Sequence, residues 1–120
     1  MRCEIDYYRT RQGDCPVEEF ISSLPVKLRA KNMRAIGLLE EMGRMLPEPH
    51  AVNVTGKRYA GLWELRVKLG SDITRIFYFF FPTGDRALLL HGFVKKSNPT
   101  PPSELERARS YMKDAMERKL

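Results

Sequence analysis

The sequence predicts an α+β fold. A first strand and a three-stranded meander form a small, mainly antiparallel sheet, with two helices before the meander and one after it, in a single domain over residues 1–120. Three observations lead there. Apolar residues recur with a helical period in two segments before Gly43 and again after Pro102, but with a period of two or as continuous runs between Trp63 and Lys96. The turns joining those later runs are too short for parallel pairing, which needs a crossover of a dozen residues or more. Finally, 120 residues that are 42% hydrophobic and 30% charged build one core, with no repeat and no second domain.

The elements follow in order. Ile5 and Tyr7 alternate with Glu4, Asp6 and Tyr8 across Cys3 to Arg9, a first strand that joins the sheet, and Gly13-Asp14 turns the chain. Pro16 suits a first helical turn and Glu18 and Glu19 suit its positive end, while Val17, Phe20, Ile21 and Leu24 mark one apolar face. Pro25 breaks this helix, and a second one buries Leu28, Ala35, Ile36, Leu39 and Met42 before Gly43 stops it. Pro47, Pro49 and Gly56 predict an irregular connection carrying His50 and ending in Lys57-Arg58.

Trp63, Leu65, Val67 and Leu69 then alternate with Glu64, Arg66 and Lys68, a strand with one core face and one charged face. Gly70-Ser71-Asp72 turns into Ile73 to Phe81, apolar on both parities except at Arg75 and Tyr78. Pro82-Thr83-Gly84-Asp85 leads to a last strand, Arg86 to Lys96, and Asn98 to Pro102 form a stiff link. Ser103 and Glu106 match a capping box for a terminal helix with Leu105, Ala108, Met112 and Ala115 on its buried face. The helices are expected mainly on one face of the sheet, leaving the other free.

Composition narrows the function. With 21 Lys and Arg against 15 Asp and Glu, the net charge of +6 favours a polyanionic partner, although solubility alone accounts for many such surfaces. Two cysteines, Cys3 and Cys15, and two histidines give no zinc-binding spacing, so neither metal nor cofactor is expected. No apolar run is long enough to span a membrane and Met1 to Asp6 has no apolar leader segment, which points to the cytoplasm.

The chemistry-bearing residues lie on the charged strand face. Glu64, Arg66 and Lys68 stand in one row, each step about 6 to 7 Å. Arg75 on the next strand and Lys95-Lys96 at the end of the one after bring Arg66, Arg75 and Lys96 toward one concave surface, with Lys57-Arg58 at its rim. The plainer reading of the row is a solvated face with an internal ion pair. Arg75 argues otherwise, because a guanidinium in an apolar strand needs an anion: Glu64 or Asp72, or a phosphate. A lysine crowded by cations loses basicity, making Lys95 or Lys68 a candidate acid or base, and Glu64 and His91 compete for that role. A lone histidine in an apolar strand is also ordinary packing. Tyr78 and Tyr59 offer rings for base stacking or simply core material.

Gly61-Leu62-Trp63-Glu64-Leu65-Arg66, Thr74-Arg75-Ile76-Phe77-Tyr78 and Leu90-His91-Gly92-Phe93-Val94-Lys95-Lys96 resemble, in order and spacing, the RelE/ParE superfamily of bacterial toxins, closest to its HigB-like, phage Gp49-like branch. The resemblance runs from Ile5 to Met116. It implies the toxin of a type II toxin–antitoxin pair, an endoribonuclease cutting mRNA in the ribosomal A site. Its partners would be mRNA on the ribosome, a cognate antitoxin protein and, through the antitoxin complex, operator DNA. It also implies that Arg66, Arg75 and Lys96, with Lys95 beside it, surround the scissile phosphate. Two departures stand out: Glu64 occupies the place of a first strand lysine, and residues 97–103 hold no tyrosine. Two other readings remain, a ParE-like DNA gyrase inhibitor and a non-catalytic phage-derived module that binds nucleic acid or antitoxin.

Overall fold

Proline and glycine set the limits of the helices. Pro16 opens α1 (Pro16–Ser22), Pro25 is the extended residue before α2 (Val26–Met42), and Gly43 ends α2 with a φ of 53° that a side chain would resist. A computed structural model describes residues 2–96 and 99–120. The remaining elements are β1 (Glu4–Tyr7), β2 (Ala51–Asn53), β3 (Trp63–Leu69), β4 (Asp72–Phe80), β5 (Arg86–Val94) and α3 (Pro102–Glu117), with single 3₁₀ turns at Gly43–Met45 and Lys57–Tyr59.

The sheet order is β1-β5-β4-β3-β2. Strands β2 to β5 pair antiparallel with their neighbours, and β1 lies parallel to β5, Glu4 opposite Arg86 and Tyr7 opposite Leu89. This is the predicted α+β architecture. Gly70, with φ at 63°, makes the tight turn that sets Leu69 opposite Asp72, and the rest of the β3–β4 register follows.

Each face of the sheet carries its own core. On one, Leu65, Val67, Ile76, Tyr78 and Leu89 pack with Val17 and Ile21 of α1 and Leu28, Ala35, Ile36 and Leu39 of α2. On the other, Phe77, Phe79, Leu88, Leu90 and Phe93 pack with Ala108, Met112 and Ala115 of α3. Leu39, Leu65, Ile76 and Leu89 have no more than 0% exposure, and full burial stabilises such side chains by about 1.5–3 kcal/mol each. Asn32 is an interior polar group with its needs met: it donates to the Leu28 carbonyl at 3.0 Å and accepts from the Thr74 hydroxyl at 3.2 Å, tying α2 to β4.

Several expectations are corrected. Helices cover both faces, because α3 crosses the sheet opposite α1 and α2. The connection after α2 contains β2, three residues too short to show a period. β5 ends at Val94, so Lys95 and Lys96 lie just beyond the strand. The capping box does not form: Pro101 occupies the cap position with no side-chain hydrogen bond, and Glu106 is held by Arg58 and Tyr59 instead. The predicted link shortens as α3 begins at Pro102, and its Asn98 lies outside the described residues.

Gly92 sits where α1 crosses β5, and a Cβ placed there would come within 2.4 Å of the Phe20 ring. Gly92→Ala is expected to lower stability by about 1–3 kcal/mol through overpacking. A urea midpoint shifted down at unchanged slope would bear this out; an unshifted midpoint would refute it.

Candidate nucleic-acid interface

The β3–β4 hairpin places Arg66 directly opposite Arg75. Opposite residues of an antiparallel pair share a face with Cβ atoms roughly 5 Å apart, and like charges there repel. Arg66 has a carboxylate: its Nε and a terminal nitrogen donate to Glu64 Oε2 at 3.2 and 3.0 Å. The ion pair expected within the charged row therefore exists. Glu64, however, is 5% exposed rather than solvated. Thr100 donates to its other oxygen at 3.4 Å, so the segment before α3 helps to cover it.

Arg75 is 8% exposed, and its Nε is buried with no hydrogen-bond partner among the described residues. Burial, then the nearby Arg66 charge, pushes its guanidinium below the ordinary arginine range, and Glu64 offsets this through space. A desolvated cation beside another cation is an anion-seeking arrangement.

Both arginines open into a pocket of about 780 Å³ lined also by Ser71, Asp72, Ile73, Val94, Lys95 and Lys96. Three successive strands and the residues following β5 thus bring Arg66, Arg75, Lys95 and Lys96 together. The Lys95 backbone amide donates to the Ile73 carbonyl at 2.8 Å, fixing the end of β5 beside the hairpin. Burial foremost, then Arg75 and Arg66, hold the Lys95 ammonium below the usual lysine value. Ser71 and Ile73 were not among the expected site residues, and Asp72 was named only as a possible anion for Arg75; their place between the two arginines was the available signal.

Other candidates lie elsewhere. His91 shares the α3 face, but in the strand register Phe77 and Phe93 stand between it and Arg75. Its Nε2 lies 2.8 Å from Glu104, its ring stacks on Phe77 and Phe93, and it lines a separate hollow with Asp14, Arg107 and Tyr111. Tyr78 is 1% exposed within the core beside α1 and α2, so its ring is closed to a base. Lys57 and Arg58 do not line the pocket; Arg58 makes a double hydrogen bond to Glu106 on α3 at 2.8 and 2.7 Å. Tyr59 donates to the same carboxylate. Lys68 lies on the outer side of the arginines, lining an adjoining groove.

Because Arg75 is a buried cation with no carboxylate paired to it among the described residues, Arg75→Met is expected to leave stability unchanged or raise it by about 1 kcal/mol. The same change should move the Lys95 titration, followed by NMR on labelled lysine, upward toward 10.5, since one repelling charge is gone. A destabilised variant with an unmoved Lys95 would contradict this electrostatic account.

No curated protein matches this sequence. A family model, described as phage derived protein Gp49-like (DUF891), matches residues 19–113, a span holding α2, the three-stranded meander and the four pocket cations. The chain therefore belongs to the Gp49-like phage-derived protein family, within the RelE/HigB-like toxin superfamily.

Proposed function

We propose that the protein is the toxin of a type II toxin–antitoxin pair and acts as a ribosome-dependent mRNA endoribonuclease. The observation that carries this reading is the pocket in which Arg66, Arg75, Lys95 and Lys96 converge around an arginine left without a partner at Nε. Family membership supports the toxin class. Partners on this reading are ribosome-bound mRNA and a cognate antitoxin, with operator DNA reached through the complex.

The chain's own groups suffice for cleavage of RNA without a metal. The 2′-hydroxyl attacks the adjacent phosphorus; a bond to O2′ forms as the bond to O5′ breaks, leaving a 2′,3′-cyclic phosphate and a 5′-hydroxyl. Arg66, Arg75 and Lys96 bind the phosphate and offset the charge that builds on its oxygens. Lys95 is the candidate best placed to accept the 2′ proton, since it lines the pocket with its basicity lowered, and water or a neighbouring ammonium supplies the proton taken up by O5′. Glu64 positions Arg66 from behind. His91 has no part in this scheme, being paired with Glu104 outside the pocket.

Primer extension on mRNA from expressing cells is expected to reveal new 5′ ends that disappear when translation is blocked. Arg66→Ala, Arg75→Ala and Lys96→Ala should each cost about 2–4 kcal/mol in the barrier, roughly 30- to 1,000-fold in cutting. Growth arrest that survives all three changes while gyrase supercoiling is inhibited would replace this reading with the gyrase one. Unchanged mRNA with no growth defect would leave a non-catalytic binding module.

A further inference from the structure

The outer side of α2 carries a glycine that the single chain does not need. Gly37 lies in the interior of a 17-residue helix, outside the left-handed region, where glycine weakens a helix relative to alanine. A Cβ built on it would meet nothing within 4 Å. Neither a turn nor a close neighbour within the chain calls for a bare backbone there. It marks a point where a second body can approach the helix axis closely.

The charges on the same helix say what that body is. Lys27 and Arg29 stand in the first turn and Glu40 and Glu41 in the last, the reverse of the order that the helix dipole favours. Arg29 is occupied by the Leu24 carbonyl and Glu40 by Arg2. Lys27, Arg34 and Glu41 have no ion pair among the described residues. Arg34 and Glu41 are two turns apart on one side of α2, both along the groove beside β3, and the midpoint between them falls at Gly37 and Leu38.

We infer that two copies of the chain associate through α2, the helices antiparallel and crossing at Gly37, so that Arg34 of each copy meets Glu41 of the other. Self-complementarity selects the occupant. A two-fold axis at the midpoint makes the contact isologous: one patch serves both copies, and the pairing of Arg34 with Glu41 is made twice. The order of charge that is adverse within one helix becomes favourable between two, since each basic first half then lies along an acidic last turn. Gly37 and the small Ala30 let the backbones approach, and Met33, 47% exposed, gains cover at the flank. None of Arg66, Arg75, Lys95 and Lys96 lies on α2, so the association stands apart from the chemistry proposed above.

Sedimentation velocity on the full chain, from about 5 to 500 µM, is expected to show a monomer–dimer equilibrium of micromolar strength, as suits a contact of modest area. Arg34→Glu and Glu41→Arg should each weaken it about tenfold or more, because either change sets like charges against each other at both pairings. Mixed in equal amounts, these two variants should dimerise with one another. The double variant, Arg34→Glu with Glu41→Arg, should return to within about threefold of the parent. Gly37→Leu should block association while circular dichroism shows the helix content kept. A chain that stays monomeric over the whole range would overturn the inference, as would a dimer indifferent to Arg34→Glu, Glu41→Arg and Gly37→Leu alike. Single variants that each dissociate yet fail to pair with one another would also overturn it, since the loss would then come from something other than this pairing.

Discussion

Two guanidinium groups held opposite one another across β3 and β4 are the constraint around which the site is organised. The hairpin register fixes them side by side, so their repulsion cannot be relieved by sliding apart; it is reduced by placing Glu64 against one of them and left standing at the other. Glu64 is itself buried and bonded by Thr100, which makes the carboxylate's grip on Arg66 stronger than an exposed pair would be. Like charges held this close cost stability, and an anion placed between them would offset that cost. Rigid strands hold the cost in place, which is why the charges sit on the sheet and not on a loop.

The position of the pocket follows from what covers the rest of that face. α3 packs over Phe77, Phe79, Leu88 and Leu90 and leaves the hairpin end of β3 and β4 bare. The Arg58–Tyr59–Glu106 cluster holds the start of α3 against the turn before β3, well away from the hairpin end. Arg58 and its ion pair therefore serve architecture, whereas the four pocket cations lie beyond the edge of the helix. Helices on both faces do not close the site; they confine it.

How much was legible in the sequence depended on how local the cause was. Alternation in Trp63–Leu69 and a tight turn after it made an antiparallel β3–β4 pair legible, but the sequence reading spent Gly70-Ser71-Asp72 on the turn; the structure turns on Gly70-Ser71 alone, and that register sets Arg66 opposite Arg75. The failures came from distant contacts. Thr100 bonds Glu64 and Glu104 lies against His91, contacts that neither period nor composition reveals. β5 also carries an irregularity that no period shows: Phe77 faces His91 and Tyr78 faces Leu89, so Leu90 is the extra residue and the inward set switches there. Tyr78 shares the face of Leu65 and Ile76, and α1 and α2 cover it there. Three-residue β2 carries too little pattern for any reading.

The parallel seam between β1 and β5 has a consequence for the order in which the protein comes into being. Glu4 to Tyr7 are made before β2, β3 and β4, and Arg86 to Leu89 after them, so β1 must wait unpaired until β5 emerges. Lys95 and Lys96 follow later still. A nascent chain with β1 to β4 already threaded out has its two arginines but not its lysines, and its sheet lacks the strand that joins the first to the rest. The four cations are thus brought together only after β5 and the residues that follow it have been made.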